Sequence, residues 1–444
     1  MPNKTPEPTR LPRQRAFLVG VQLKNDRVLL TLEDSLAELG LLADTAGLVV
    51  VGESSQRLDH PNPVTFIGPG KVDEVKVLVE ETLADVVIFD NELSPRHLRE
   101  LEERLGAEVQ IIDRTALILD IFALHAHTRE GILQVELAQY EYRLPRLTRA
   151  WTHLARQAGG GAGRTGSVGG VGLRGPGETQ LEVDRRLIRR KISSLKDELE
   201  KIRAHRSRYR LNRKRSRIPV IAIVGYTNAG KSTLLNALSR SDVYVADQLF
   251  ATLDPTTRRV ELPGGHQALF TDTVGFIQKL PTQLIAAFRA TLEEIAEADL
   301  LVHIVDITHP NALAQWRAVH ETLKEIDACQ IPTITALNKI DQLPDPAAAQ
   351  ATLIHFADAI AISAKTGAGL KDLAQEIETK LFEKYLPIVV RLPYRQGQLI
   401  SLLHEQGLVQ RIKHERGGVL IHGQVPGRLL TRFLPYLHPD EPSG

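Results

Sequence analysis

The sequence contains a single cysteine, Cys329, among its 444 residues, so no intramolecular disulfide can form. This argues against a secreted fold held together by disulfides, and we expect Cys329 to be a small buried residue. No stretch approaches the ~18 consecutive apolar residues of a membrane-spanning helix, and residues 1–15 lack the apolar core of a signal peptide. These absences predict a cytoplasmic protein. A regulator of a membrane protease would need a membrane anchor or a lipid-binding helix, and the sequence gives no support for either.

The net charge is only +1, but the charge is unevenly distributed along the chain. Residues 129–217 contain 22 Lys or Arg against 9 Asp or Glu, an excess of +13, so the rest of the chain carries −12. Such a segment is typical of polyanion binders, because basic side chains near phosphates release condensed counterions. A solvated helix face is the alternative. We favour RNA contact, since the segment includes a glycine-rich loop with Arg164 and Arg174.

Length and composition predict several folded units. The chain exceeds what one hydrophobic core supports, and a prior of ~150 residues per domain suggests about three units. Short β-rich runs alternate with helical patterns near the N-terminus, which predicts an α/β domain with a largely parallel sheet. The predicted segments are a disordered tail (1–15), this α/β domain (16–128), a basic helical hairpin (129–217) with a glycine-rich loop (159–177), a P-loop domain (218–386) and a small C-terminal α/β domain (387–444).

The hairpin prediction depends on apolar periodicity on both sides of the glycine-rich loop. Leu133, Leu137, Tyr140 and Leu144 recur at three- and four-residue steps before the loop, and Pro145 should kink or interrupt that helix. After the loop, apolar positions on a long basic helix form a second stripe. These positions are Leu181, Leu187, Ile188, Ile192, Leu195, Leu199 and Ile202.

The turn IGPGKVDE places Gly68, Gly70 and Lys71 ahead of a predicted helix. Glycines before a helix N-terminus expose backbone N–H groups to anions, so a second nucleotide site is one interpretation. The spacing fits no full phosphate-loop pattern. A plain turn with a helix start is therefore the favoured interpretation.

A phosphate-binding loop follows a predicted buried strand at 220–224. The pattern G-x-x-x-x-G-K-S occupies residues 225–232 and precedes a helical pattern. Gly225 and Gly230 allow the tight turn, Lys231 is predicted to reach the β- and γ-phosphates, and the Ser232 hydroxyl is predicted to ligate Mg²⁺. In this strand-to-helix context the pattern indicates a nucleoside triphosphate site.

Two later segments complete a predicted sensor of the γ-phosphate. The run FATLDPT at 250–256, which we call the switch segment, contains Thr252, 20 residues after Ser232 and 20 before Asp272. This spacing makes Thr252 the candidate to complete the Mg²⁺ shell. In the run DTVG, Asp272 would hold Mg²⁺ through water and the Gly275 N–H would contact the γ-phosphate. Alone, Thr252 is an ordinary loop threonine and DTVG an ordinary turn, but their order after a P-loop favours the sensor.

The runs NKID and SAK predict guanine as the base. The Asp341 carboxylate can accept both N–H donors of the Watson–Crick edge of guanine, which adenine does not offer. Asn338 follows a predicted buried strand, Lys339 would stack along the ring, and residues 363–365 would place a backbone N–H near the guanine carbonyl. The pocket should therefore bind GTP and GDP.

These motifs give one set of predicted site residues. The predicted nucleotide-binding residues are Gly225, Tyr226, Thr227, Asn228, Ala229, Gly230, Lys231, Ser232, Thr233, Phe250, Ala251, Thr252, Asp272, Thr273, Val274, Gly275, Asn338, Lys339, Asp341, Ser363, Ala364 and Lys365. The predicted metal ligands are Ser232 and Thr252, and the predicted RNA contacts are Arg164 and Arg174.

Several runs together resemble the HflX family of the Obg-related GTPases over nearly the whole chain. They are GGVGLRGPGETQLE at 169–182, VGYTNAGKSTLLNAL, LFATLDPTTR, DTVGFI and NKID. The fold class is then α/β multidomain: a Ras-like P-loop GTPase domain with an N-terminal α/β domain, a helical hairpin and a small C-terminal α/β domain. The resemblance implies that the hairpin and its loop reach rRNA of the large ribosomal subunit, and that GTP drives separation or rescue of ribosomes under stress.

Two positions bear on the hydrolysis step. Phe276 follows DTVG, where many GTPases have the glutamine that orients the attacking water. The catalytic residue is therefore unknown, and we expect slow intrinsic hydrolysis that ribosomes or large subunits stimulate. In related GTPases an asparagine at the position of Asn228 helps to hold K⁺, so K⁺ is a second candidate cofactor beside Mg²⁺. The alternative is that Asn228 merely turns the loop.

Two functions of different classes remain open. The first is an enzyme that uses GTP hydrolysis as a timer for ribosome engagement, and which acts as a monomer. The second is a nucleotide-gated RNA-binding scaffold that acts in ribosomal subunit assembly, where hydrolysis matters little. The basic hairpin serves both functions.

Overall fold

Parallel strands alternate with helices along most of the chain. The structure is a computed structural model that describes residues 13–24, 30–106, 108–147, 180–216, 218–239, 249–250, 253–279, 295–343, 356, 359–382, 385–415 and 417–438. The chain divides into two compact units. The first comprises Met1–Val260 and Gln267–Leu370, and the second comprises Glu261–His266 and Lys371–Gly444.

We number the elements in chain order. The strands are β1 (Arg15–Leu23), β2 (Val49–Leu58), β3 (Val86–Phe89), β4 (Gln110–Asp113), β5 (Val220–Gly225), β6 (Thr256–Glu261), β7 (Gln267–Asp272), β8 (Leu300–Asp306), β9 (Thr333–Asn338), β10 (Ala359–Ala361), β11 (Tyr385–Pro393), β12 (Leu408–Glu415) and β13 (Gly418–Pro426). The helices are α1 (Leu32–Thr45), α2 (Pro69–Thr82), α3 (Pro95–Leu105), α4 (Arg114–His125), α5 (Arg129–Arg146), α6 (Gln180–Ser216), α7 (Lys231–Ser239), α8 (Ala312–Glu325), α9 (Leu370–Leu381), α10 (Gly397–Gln406) and α11 (Gly427–Phe433).

The N-terminal α/β domain has a four-stranded sheet in the order β2-β1-β3-β4, with parallel pairing throughout. This confirms the predicted parallel α/β fold. Residues of α1 and α4 cover one face of the sheet, and residues of α2 and α3 cover the other. The residues of β1 from Ala16 to Val21 are buried, as expected for a parallel strand covered on both faces.

The turn before α2 is a helix start. Gly68 is the N-cap residue and Pro69 occupies the first helical turn. The Gly68 N–H donates to Oε1 of Gln56 at 3.0 Å, and Nζ of Lys71 lies 2.8 Å from Oε1 of Glu74. The Lys71 ammonium thus pairs with a carboxylate of its own helix. This arrangement is consistent with the favoured interpretation, a plain turn followed by a helix start.

Helices α5 and α6 pack antiparallel as a hairpin. Ion pairs join Arg129 to Glu198 near one end and Lys191 to Glu136 further along. Between the helices lies an apolar seam of Leu133, Leu137 and Leu195, with Tyr140, Ile192, Leu199 and Ile202 packed against it.

One expectation for the hairpin helices needs correction. Leu187 does not belong to the apolar stripe, because its side chain is 54% exposed. It lies one residue off the three- and four-residue steps that lead from Ile188 to Ile202. Helix α5 ends at Arg146, one residue after Pro145, where an interruption was expected. Leu181, Arg164 and Arg174 lie outside the residues whose side chains are described.

The P-loop domain has a six-stranded sheet in the order β10-β9-β8-β5-β7-β6. Strand β5 lies between β7 and β8, and pairs parallel with both. Strands β8, β9 and β10 continue the parallel pairing. This order brings the carboxyl ends of β5, β7, β8 and β9 to one edge of the sheet, where ligands bind in parallel α/β folds.

One apolar core joins the N-terminal domain to the P-loop domain. Leu36, Ile118 and Phe122 from the N-terminal domain belong to the same buried cluster as Tyr226 and Phe276 from the P-loop domain. Burial of apolar side chains contributes about 25 cal/mol for each Å² removed from water. The N-terminal domain therefore packs on the P-loop through a continuous core.

The second unit contains a three-stranded antiparallel sheet in the order β11-β13-β12. Val390, Ile421 and Phe433 are fully buried in its core, to which α10 and α11 contribute. The segment Glu261–His266 belongs to this unit, and the Gly264 N–H donates to Oε2 of Glu378 on α9 at 2.9 Å. This agrees with the expected small C-terminal α/β fold.

Cys329 was expected to be buried, and this prediction is wrong. It lies in the turn between α8 and β9 and is exposed, while the preceding Ala328 takes the inward position.

Among the described helices, none combines the length and apolar character needed to cross a membrane.

Candidate nucleotide site

The P-loop runs from the end of β5 to the start of α7. A side chain at Gly225 would collide with the Ile304 carbonyl, and one at Gly230 would collide with Asn338. Asn228 adopts a left-handed conformation with φ of 58°, which asparagine tolerates better than most residues. The close neighbours of both glycines explain why this turn requires them.

Lys231 is buried at the start of α7. Its ammonium donates to the carbonyl oxygens of Tyr226 at 2.8 Å and Gly225 at 3.2 Å. Burial lowers the pKa of Lys231 to about 8, and Asp272 opposes this effect. A buried cation held mainly by neutral carbonyls is suited to bind an anion such as phosphate.

Ser232 and Asp272 bring two hard oxygen donors together beside the P-loop. The Ser232 hydroxyl donates to Oδ2 of Asp272 at 2.6 Å. Both are oxygen ligands of the kind that Mg²⁺ prefers, so the pair fits that ion. Within the described residues, no three His, Cys, Asp or Glu side chains form a metal-binding group by themselves. The nucleotide phosphates and water would have to supply the remaining ligands.

The run after β7 lies directly on the P-loop. The Thr227 N–H donates to the Phe276 carbonyl at 2.8 Å, and the Phe276 N–H donates to the Gly225 carbonyl at 3.1 Å. A Cβ at Gly275 would lie 3.0 Å from both Nζ of Lys231 and Cα of Thr227. A side chain at this position would crowd both neighbours, so glycine suits the close approach of this backbone to Lys231. Phe276 is 2% exposed, so the residue after DTVG is part of the core.

The other predicted residues of these loops are placed as follows. The Thr273 hydroxyl donates to the Ile223 carbonyl at 2.7 Å, which fixes the start of the DTVG run. Phe250 is buried, while Ala251 and Thr252 lie outside the described residues. The structure thus brings Ser232 together with Asp272, and it does not describe the second predicted metal ligand.

The predicted guanine-binding residues converge at the ends of β9 and β10. The Asn338 side chain joins two segments, because its Nδ2 donates to the Ala229 carbonyl at 2.9 Å and its Oδ1 accepts from the Ala364 N–H at 2.9 Å. The Ser363 hydroxyl donates to Oδ1 of Asp341 at 2.6 Å. Lys365 is exposed at the rim. The NKID and SAK runs therefore form one polar group beside the P-loop.

Sequence reasoning missed Asp306. Its Oδ2 lies 2.6 Å from Nζ of Lys339, so it fixes the side chain expected to stack on the base. A signal was present, because β8 ends on Asp306 and its parallel neighbour β9 ends on Asn338 in direct register. Carboxyl ends of parallel strands meet at the same edge of a sheet.

A buried ionic cluster beside the P-loop was also missed. The Tyr226 hydroxyl donates to Glu38 on α1 and accepts from the Gln278 N–H at 2.9 Å. Arg114 on α4 pairs with Glu38 and Asp90, and Lys279 pairs with Asp90. We call Glu38, Asp90, Arg114, Tyr226 and Lys279 the boundary cluster, since it joins the N-terminal domain to the P-loop domain. Tyr226 therefore contributes its backbone to the phosphate loop, whereas its side chain belongs to the boundary cluster.

The fold and this site define a P-loop GTPase. Profiles of three families match successive parts of the chain: "GTP-binding GTPase N-terminal" at residues 33–123, "GTP-binding GTPase Middle Region" at 125–213 and "50S ribosome-binding GTPase" at 220–339. The GTPase HflX of Caldanaerobacter subterraneus subsp. tengcongensis is 43% identical over 425 residues, which cover 96% of this chain and 94% of the relative. That of Escherichia coli is 42% identical over 415 residues, which cover 93% of this chain and 94% of the relative.

The chain therefore belongs to the HflX GTPase family, as its motifs indicated, and it hydrolyses GTP. A crystal structure of a protein called SsGBP with GDP is 25% identical, with a TM-score of 0.47, over 83% of this chain and 98% of that chain.

Proposed function

We propose that this GTPase binds the large ribosomal subunit and couples GTP binding and hydrolysis to the separation or rescue of ribosomes under stress. The proposal is supported by the family description "50S ribosome-binding GTPase", which matches residues 220–339. It is also supported by the basic hairpin that leads into the P-loop domain. The protein would act in the cytoplasm as a monomer.

The observation that carries the proposal is the charge and length of α6. This helix has 37 residues, about 55 Å at 1.5 Å per residue. Arg186, Arg189 and Arg190 on its first turns have exposed side chains. Basic side chains on an extended arm suit the phosphate backbone of rRNA, and the charge excess of residues 129–217 makes the contact electrostatically favourable.

The nucleotide chemistry is proposed to need Mg²⁺. Ser232 would ligate the ion directly, Asp272 would hold it through water, and Thr252 would complete the shell in the triphosphate state. When bound, Mg²⁺ neutralises charge that develops between the β- and γ-phosphates. Lys231 would hold the same phosphates from the P-loop side.

Potassium remains a proposal that depends on Asn228. The Asn228 side chain is exposed at the P-loop, while its left-handed backbone also suits a residue that only turns the loop. Turnover measured in KCl and in NaCl at matched ionic strength separates the two roles. Equal rates would leave Asn228 with the turn alone.

Sedimentation with purified ribosomal subunits tests the main proposal. We expect the protein to sediment with large subunits in a nonhydrolysable GTP analogue and to be released in GDP. The double variant Arg189→Glu/Arg190→Glu should lose most of this binding and keep its nucleotide affinity. The matched control is Arg99→Glu/Arg104→Glu, whose side chains are exposed on α3.

Three results would count against the proposal. Equal sedimentation of both double variants would remove the hairpin from the interface. Equal GTPase rates with and without large subunits would remove the expected stimulation. Full biological activity of Asp272→Ala would favour the alternative, a nucleotide-gated scaffold in which hydrolysis matters little.

A further inference from the structure

The switch segment contacts the first turn of α5 through Asp254. Oδ2 of Asp254 accepts hydrogen bonds from the N–H groups of His127 at 2.9 Å and Thr128 at 2.8 Å, and the Thr128 hydroxyl donates to Oδ1. Thr128 is the N-cap residue of α5, and its hydroxyl accepts from the Gly131 N–H at 3.0 Å. A carboxylate from the switch segment therefore lies at the positive end of the α5 dipole.

Gly131 shows that α5 is shaped for this contact. An alanine Cβ at Gly131 would collide with the Asp254 carboxylate. The close approach of Asp254 thus fits a position that has no side chain, an observation separate from the hydrogen bonds.

Phe250, the first residue of the switch segment, makes a second contact with the N-terminal domain. Phe250 is 2% exposed, and its ring centroid lies 4.7 Å from that of Phe122 on α4, with the rings at 72°. Such an edge-to-face pair contributes about 0.5–1.5 kcal/mol beyond its burial. The described residues of the switch segment thus contact two successive helices, and the second of these begins the hairpin.

We propose that Asp254 is a positioning residue that fastens the switch segment to α5 and thereby couples the nucleotide at the P-loop to the seating of the hairpin. In P-loop GTPases the γ-phosphate draws the switch threonine towards the metal and releases it after hydrolysis. Asp254 follows Thr252 by two residues. In the proposed coupling, the pull of the triphosphate on Thr252 is transmitted to Asp254 and weakens the Asp254–α5 bonds, and the diphosphate leaves them in place.

The inference rests on the proposed function in one respect, namely that the hairpin binds the ribosome. Its test uses no ribosome, so it can fail while ribosome binding stands, and ribosome binding can fail while the coupling stands. By linkage, a contact that differs between two nucleotide states must change the ratio of the two affinities when it is removed. That ratio is the quantity to measure.

The experiment compares four full-length proteins: wild type, Asp254→Ala, Gly131→Ala and Gly70→Ala. Affinities for GDP and a nonhydrolysable GTP analogue are measured by titration calorimetry. Asp254→Ala should shift the ratio towards the analogue by about ten-fold or more, the range for charge-assisted hydrogen bonds. Gly131→Ala should shift it in the same direction, because its methyl displaces Asp254 while alanine favours the helix.

Gly70→Ala is the matched control. Gly70 also lies in the first turn of a helix, α2, and a Cβ there meets nothing within 4 Å. It should leave the ratio unchanged, and the double variant Asp254→Ala/Gly131→Ala should add little to either single change. An unchanged ratio in Asp254→Ala, or shifts of opposite sign in Asp254→Ala and Gly131→Ala, would overturn the proposal.

Hydrogen exchange gives a readout that a merely structural role would not produce. In the wild type, the amides of His127 and Thr128 should exchange faster with the GTP analogue than with GDP. In Asp254→Ala they should exchange at one rate with both nucleotides. Equal exchange in the wild type would contradict the coupling even if Asp254→Ala weakened the fold.

Discussion

The nucleotide pocket and the boundary cluster both bury charged side chains, but they treat the charges in opposite ways. In the boundary cluster, burial alone would lower the pKa of Arg114, and Glu38 and Asp90 outweigh it so that the pKa is raised. In the pocket, burial prevails at Lys231 and lowers its pKa to about 8. A buried cation that is paired with carboxylates helps to hold the fold together. A buried cation that contacts mainly neutral carbonyls is available to bind an anion.

The largest effect should come from removing the central cation of the boundary cluster. Arg114→Met leaves Glu38 and Asp90 buried with Lys279 as the remaining cation of the cluster. Breaking a buried ion pair by removing one partner costs about 3–5 kcal/mol. We expect the free energy of unfolding to fall by that amount in urea denaturation.

Arg99→Met is the matched control for Arg114→Met. Arg99 is exposed on α3, so its loss should change stability by less than about 0.5 kcal/mol. If Arg114→Met also cost less than about 1 kcal/mol, the boundary cluster would not be what holds the N-terminal domain on the P-loop domain.

The opposite pattern is expected at Lys231. Lys231→Met removes the cation that faces the β- and γ-phosphates, so single-turnover GTP hydrolysis should fall by about 100-fold or more. The nucleotide-free protein should lose no stability, because methionine fills the same buried space without a charge to desolvate. A loss of stability as large as that of Arg114→Met would erase the distinction between the two regions.

A third substitution sharpens the account of the pocket. Asp341→Asn replaces an acceptor-only carboxylate with an amide that also donates, so GDP affinity should fall by about 10–100-fold, the range for hydrogen bonds to charged groups. Xanthine carries a carbonyl where guanine has its amine, so affinity for xanthosine diphosphate should rise. Glu325→Gln, exposed on α8, is the control. Unchanged preference between the two bases would separate Asp341 from base recognition.

The two regions also differ in how far the sequence predicts them. The phosphate loop depends on residue types at fixed spacing, so Gly225, Gly230 and Lys231 could be found by pattern alone. The same motif also predicts that these three residues lie between a strand and a helix. The strand before the phosphate loop, predicted at 220–224, runs from Val220 to Gly225, since a buried strand leaves a continuous apolar run.

The boundary cluster has no such pattern. Glu38 lies on an amphipathic helix, Asp90 follows a strand, and Arg114 begins an apolar helix, and these positions are far apart in the sequence. Each residue by itself resembles a helix-surface or turn residue. Their meeting depends on the strand order β1-β3-β4 and on the packing of α1 and α4 against the P-loop, which the periodicity of single elements does not encode.

The smallest effect is expected at Lys279, the cation that the P-loop domain gives to the boundary cluster. Its side chain is 35% exposed, so solvent screens its pair with Asp90 more than it screens Arg114. Lys279→Met should therefore cost about 1–2 kcal/mol, less than Arg114→Met.

The pH dependence of that cost tests whether charge is the cause. Burial would raise the pKa of Asp90, but Arg114 and Lys279 outweigh it and hold the pKa below its ordinary value of 3.8. The stabilisation is therefore present above pH 3.8 and is lost as pH falls through the lowered value. Without Lys279 the pKa of Asp90 rises, so Lys279→Met should begin to lose stability at a higher pH than the wild type.

The stability difference between the wild type and Lys279→Met should consequently shrink on acidification, because protonated Asp90 no longer attracts Lys279. Urea denaturation at neutral pH and at a series of lower pH values that continues well below 3.8 measures this difference. A difference that stays constant would mean that Lys279 acts through packing of its alkyl chain. The charge balance of the boundary cluster would then be set by the N-terminal domain alone, and the run after DTVG could move without an electrostatic cost.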